Sequence, residues 1–101
     1  NVVSGIKIDE PAVDLGIALA IASNFKNVPL PKDLVVVGEI GLTGEIRSVN
    51  SLEKRVKEAE KMGFKTFVVP ESGKKQIKYK TTSINVIGVK TISEALRVCG
   101  F

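Results

Sequence analysis

The stretch LVVVGEIGLTGEIRSVNSLEKRVKEAEKMGFKTFVVP, residues 34–70, carries the succession of elements that decides the fold. It opens on LVVVGEI (34–40), a short continuous apolar run of the kind that forms a strand covered on both faces. GLTG (41–44) reads as a turn, and EIRSV (45–49) is placed to pair back as a hairpin arm. Ser51 is a candidate cap for a helix whose Leu52, Val56, Ala59 and Met62 recur as one apolar stripe, with Lys54 where a capping box would carry Glu. Glu53 with Lys57 and Lys54 with Glu58 have the spacing of helical i,i+4 pairs, and Gly63 is the stop signal. KTFVVP (65–70) is then a buried-looking strand.

Upstream, VVSGIKI (2–8) alternates and is rich in β-formers, so it reads as a strand. Asp9 and Glu10 stand before Pro11, an acidic cap with proline in the first turn, which predicts a helix to about Asn24. Its AVDLGIALAIA is apolar nearly all round and must be buried or lie in a subunit interface, with Gly16, Ala18, Ala20 and Ala22 permitting close packing. Downstream, SGKKQIKYK is a short basic segment and INVIGV (84–89) another strand. TISEALRVC (91–99) is a terminal helix capped by Thr91 or Ser93. The order implies one two-layer α/β domain with a mixed sheet.

The chain has 101 residues, enough for one core, with 44% hydrophobic and 26% charged residues. Its apolar runs are shorter than a membrane span, which implies a soluble protein with no membrane partner. One cysteine, Cys99, and no histidine fit a reducing cytoplasm. The same absence excludes Ser-His-Asp and Cys-His nucleophile systems and a zinc site of the usual Cys/His kind, so no metal or cofactor is expected in this domain. The net charge of +4 is compatible with a polyanionic partner without requiring one. Asn1, opening straight into an apolar segment, reads as a piece of a longer chain.

Four features are candidate sites. GEIGLTG lacks the GxxxxGK[ST] string of a P-loop, and its GxxGxxG spacing is not a dinucleotide fingerprint; Gly41 and Gly44 are read as turn glycines. Lys74, Lys75, Lys78 and Lys80 surround Tyr79, so they could grip nucleic-acid phosphates while the ring stacks on a base; the simpler reading is a solvated rim. Cys99 is a small core residue with nothing to activate it. Glu39 and Glu45 flank the turn and are read as structural unless a pocket joins them.

Taken together, DEPAVDLGIALAIAS, VVVGEIGLTGEIRSVNSLEKRVKEAEKMGFK and FVVP resemble the proteolytic domain of Lon ATP-dependent proteases. They resemble still more the Lon-like C-terminal domain of the RadA (Sms) family of bacterial DNA repair proteins. The resemblance implies the fold type of ribosomal protein S5 domain 2. It also implies a parent with a zinc-binding segment and an ATP- and magnesium-dependent core upstream, assembled as a hexameric ring and touching single-stranded or branched DNA.

Lon-type peptidases use a Ser-Lys dyad, and alignment to their motifs puts the serine position at Asp14 and the lysine position at Arg55. Aspartate is no serine-type nucleophile, and a guanidinium stays protonated and cannot serve as a general base. A slip to Lys54 would swing the side chain by ~100° round the helix, and no serine lies between Asp9 and Ala22. The expectation is therefore a domain without peptidase activity in which Asp14 and Arg55 pair as ions. Taken singly, Asp14 would be a helix-dipole partner and Arg55 a solvated flank residue. The rivals are an active peptidase with a displaced dyad and a purely structural oligomerisation module.

Overall fold

The computed structural model describes the backbone of residues 2–3 and 6–7 and, in full, residues 10–101. Strands β1 (Val2–Val3) and β2 (Ile6–Lys7) pair antiparallel, Val2 with Lys7 and Val3 with Ile6. The expected single strand over 2–8 is thus two short ones; Ser-Gly, a turn dipeptide, separates them in sequence. Ser4, Gly5, Ile8 and the proposed cap Asp9 lie outside the described residues.

A 3-10 turn, Pro11–Val13, leads into α1 (Asp14–Lys26), which closes on Asn27 in the left-handed conformation at φ 55°. Strands β3 (Leu34–Val36), β6 (Thr66–Pro70) and β7 (Asn85–Val89) form a parallel sheet in the order β3-β6-β7. Between β3 and β6 come the hairpin β4 (Glu39–Ile40) and β5 (Ile46–Arg47), then α2 (Leu52–Lys61). Helix α3 (Glu71–Lys74) follows β6, and α4 (Ile92–Val98) ends the described order.

Alternation along β6 shows why the run is continuously apolar. Val68 packs with Leu15 and Leu19 of α1 and Ala95 of α4, whereas Phe67 and Val69 pack with Leu52, Val56 and Ala59 of α2. Helices therefore cover both faces, giving three layers where two were expected. The three-stranded sheet itself is all parallel, and the antiparallel β4–β5 hairpin joins it just past β7, where Glu45 bridges Thr91 and Ile46 N–H donates to Lys90 O at 2.8 Å.

LVVVGEI also breaks. Val37 N–H still reaches Val68 O at 3.1 Å, but Gly38 turns away to donate to Ala12 O at 3.0 Å and to accept from Leu15 N–H at 3.0 Å. A Cβ on Gly38 would stand 2.8 Å from Ile46 Cγ2, so the strand can pass there only without a side chain. Gly44 supplies a positive φ of 85° in the hairpin turn, as the sequence suggests. Gly41 does not; a Cβ there would overlap the Glu45 carboxylate folded across the turn.

Helix α2 starts without a side-chain cap, since Ser51 itself adopts φ 55°. It ends in a Schellman closure, Phe64 N–H to Ala59 O and Gly63 N–H to Glu60 O, both at 3.1 Å, with Gly63 at φ 91°. That closure carries Met62 off the apolar stripe, leaving it 71% exposed. Among the described residues neither expected i,i+4 ion pair forms. At α4 the cap is Thr91, whose hydroxyl accepts Glu94 N–H at 3.2 Å while Glu94 accepts Lys90 N–H at 2.6 Å. Helix α1 buries Leu15 and Leu19 and leaves Ile17, Ile21 and Phe25 exposed on its other side. No described helix is long and apolar enough to cross a membrane.

Candidate functional site

The parallel strands all end at one edge, and the start of α1 is bonded there through Gly38. Helix α2 begins at the same edge, because Lys65 and Thr66, just beyond its far end, bond Asp33 O at the opposite one. The two positions implied for a dyad, Asp14 and Arg55, thus fall on helices that begin at the same edge, but they do not pair. Asp14 Oδ2 accepts the Ile40 N–H at 3.1 Å, which ties the start of α1 to β4. Arg55 donates from Nε to Asn50 O at 2.9 Å and from Nη2 to Asn50 Oδ1 at 3.1 Å, and Nη2 lies 2.8 Å from Glu10 Oε1. The expected Asp14–Arg55 ion pair is wrong, because each side chain is held by a nearer partner.

Arg55, Glu10, Glu39, Ser48 and Asn50 contribute to a shallow cleft of about 210 Å³ between the starts of α1 and α2. Ser48 is the hydroxyl in its lining and Arg55 the cation; a guanidinium cannot take the serine proton. The sequence offered no short-range signal for Glu10, which stands 45 positions from Arg55.

Glu39 does reach this cleft, whereas Glu45 is a turn clamp. Glu45 accepts from Thr43 Oγ1 at 2.6 Å and Thr43 N–H at 3.1 Å, and it pairs with Arg47 at 3.1 Å; Arg47 lies 3.5 Å from Glu39. The Thr43 hydroxyl, then backbone N–H groups and Arg47, hold the Glu45 carboxyl at about 2, far from the range of a general base near neutrality.

The basic segment is clamped by α2. Glu53 accepts Lys78 N–H at 2.6 Å and Tyr79 N–H at 2.8 Å, and these bonds lower its pKa. Glu60 accepts the Tyr79 hydroxyl together with Thr82 and Ser83 N–H, both at 2.7 Å. Ser83 N–H first, then Tyr79 and Thr82, bring the Glu60 carboxyl down to about 2. Tyr79 packs half-buried on the α2 core with Lys57 Nζ 5.4 Å from its ring centre, so it is not the free stacking platform that the nucleic-acid alternative required. Lys74, Lys75, Lys78 and Lys80 are exposed, with Lys74 closing the short helix α3. Cys99 is buried among core residues, and burial raises its thiol pKa.

Residues 1–73 match the family described as subunit ChlI of Mg-chelatase. Among curated proteins, the chain is 49% identical over 98 residues to the DNA repair protein RadA of Halalkalibacterium halodurans, covering 97% of this chain and 21% of that protein. It is 47% identical over 97 residues to the RadA of Bacillus subtilis, covering 96% and 21%. It is 45% identical over 98 residues to the RadA of Escherichia coli K12, covering 97% and 21%. The chain thus spans about a fifth of the length of these relatives.

Proposed function

The chain belongs to the family described as subunit ChlI of Mg-chelatase, and from that membership and its RadA relatives we propose that it is the non-proteolytic, Lon-like domain of a DNA repair ATPase. The RadA likeness weighs more for function, since it runs over nearly the whole chain at close to half identity. The fold type is that of ribosomal protein S5 domain 2, with the domain serving as a scaffold for a ring, hexameric in the intact cytoplasmic protein, and as a contact for DNA. ATP, magnesium and zinc act elsewhere in the parent: this chain has no GxxxxGK[ST] string, no histidine and one cysteine.

The observation that carries the non-proteolytic reading is the engagement of both dyad positions. Asp14 is committed to Ile40 N–H and Arg55 to Asn50 and Glu10. A Ser-Lys mechanism requires a desolvated amine beside a hydroxyl, and neither residue supplies either. DNA contact is supported by lysines that make no ion pair among the described residues, while the neighbouring carboxylates Glu53 and Glu60 are occupied by N–H and O–H donors.

Charge reversal of Lys74, Lys75, Lys78 and Lys80 in the intact parent tests the DNA role. Weakened DNA binding with ring assembly preserved is the expected result. Binding equal to wild type would leave a purely structural module.

A further inference from the structure

We infer that nucleic acid crosses this domain along the carboxyl edge of the parallel sheet, held through backbone phosphates by Lys54, Lys75 and Lys90, without base stacking; this rests on the DNA reading above. Crevices outside the carboxyl ends of parallel strands are the usual ligand sites of open α/β sheets. Here that edge carries two polar clefts, one on each side of α3.

The first, about 310 Å³, lies between the start of α2 and α3 and includes Ser51, Lys54 and Gln76. The second, about 430 Å³, follows the ends of β6 and β7 and includes Ser72, Lys75 and Lys90. The ridge between them is fixed, because Gly73 is buried so close to Leu52 that a Cβ there would meet Leu52 Cδ2 at 3.1 Å. Lys54, Lys75 and Lys90 are all exposed, and none is in an ion pair among the described residues.

Among the described residues the carboxylates of the edge make no ion pair with these lysines. Glu53 in the first cleft is occupied by the N–H groups of Lys78 and Tyr79. Glu71 lines the second together with two lysines, Lys75 and Lys90, and Glu94 beside Lys90 accepts that residue's backbone N–H. Compact, mobile ammonium charges beside serine hydroxyls suit phosphate oxygens, which position a nucleic acid without reading its sequence.

Stacking is closed off at this edge. Tyr79 is tied to Glu60 and packed on α2, and the highly exposed Phe25 sits at the far end of α1. Strand-only binders depend on such aromatic platforms; a phosphate track accepts duplex and single strand alike.

The test is a salt titration of the intact parent binding a labelled duplex and the matching single strand. Lys54→Gln/Lys75→Gln/Lys90→Gln is compared with Lys26→Gln/Lys32→Gln/Lys65→Gln, which removes the same charge at the opposite edge. Carboxyl-edge substitution is expected to weaken both ligands about tenfold or more and to flatten the duplex salt dependence by about 2 to 3 in log-log slope. The opposite-edge variant should bind like wild type, and both should melt like wild type because all six lysines are exposed. Equal loss in the two variants, or loss confined to single strands, would overturn this path. Wild-type binding by the carboxyl-edge variant would overturn it too, and whether the DNA reading itself survives is then read from a separate charge reversal of Lys74, Lys78 and Lys80 with Lys75 kept.

Discussion

The Arg55 guanidinium lies 2.8 Å from the Glu10 carboxylate and also grips Asn50 through its backbone and side-chain oxygens. One side chain thus joins the segment before α1 to the start of α2, an end that has no side-chain cap of its own. Arg55→Ala should therefore destabilise the domain by roughly 1 kcal/mol, through the lost bond to Asn50 more than through the partly exposed ion pair. Glu10→Ala should cost less, and a double-mutant cycle should give a coupling of about 0.2–1 kcal/mol. Chemical denaturation of the four variants reads this out; a coupling well above that range would mean a more desolvated pair than described.

Glu60 gives the fold an acid-sensitive clamp. Its folded-state pKa is about 2 against an ordinary 4.5, so between those values the unfolded chain binds more protons. The stabilisation is present above pH 4.5 and is lost as pH falls towards 2. Wild type and Glu60→Gln should differ most in melting temperature near neutrality and converge by about pH 2. Amide exchange at Thr82 and Ser83 should quicken in the variant, and unchanged protection there would refute the clamp.

Gly38→Ala should destabilise by about 1–3 kcal/mol, as overpacking does, because its Cβ would press on Ile46 and Leu15. Gly63→Ala meets no atom within 4 Å and carries only the strain of φ 91°, about 1–2 kcal/mol. Combining Gly38→Ala with Ile46→Ala, which removes the Cγ2 methyl that the new Cβ would meet, separates the two mechanisms: a double-variant cost below the sum of the singles is expected for a steric clash, and plain additivity argues against one.

Cys99 should react with a thiol-directed reagent only on opening of the fold, since it is buried and its thiol pKa is raised. Modification should speed up with denaturant in parallel with unfolding. Rapid labelling of the folded protein would contradict this placement.

Elements whose signals are local were legible in the sequence. The limits of α2, β6, β7 and α4 followed from periodicity, Gly63 and Thr91, and the hairpin followed from GLTG between its arms. What was not legible depends on distant partners. The break at Gly38 is set by Ala12, Leu15 and Ile46, and which helices cover the two faces of β6, α2 on one and α1 with α4 on the other, is set by segments on both sides of it. At the site, Asp14 and Arg55 were expected to pair with each other, but their partners Ile40 and Glu10 come from other segments. Glu53 was read as the i,i+4 partner of Lys57 and Glu60 carried no signal of its own; the basic loop, distant in sequence, folds onto both.

The central proposal is that this domain carries no peptidase activity, and it is tested most directly on the intact parent. The protein is incubated with an unfolded protein substrate and a serine-reactive acylating probe, and cleavage and labelling are followed by mass spectrometry. The expected result is intact substrate and no labelled serine, at Ser48 or elsewhere in the domain. Reproducible cleavage with stoichiometric labelling of one serine would contradict the account.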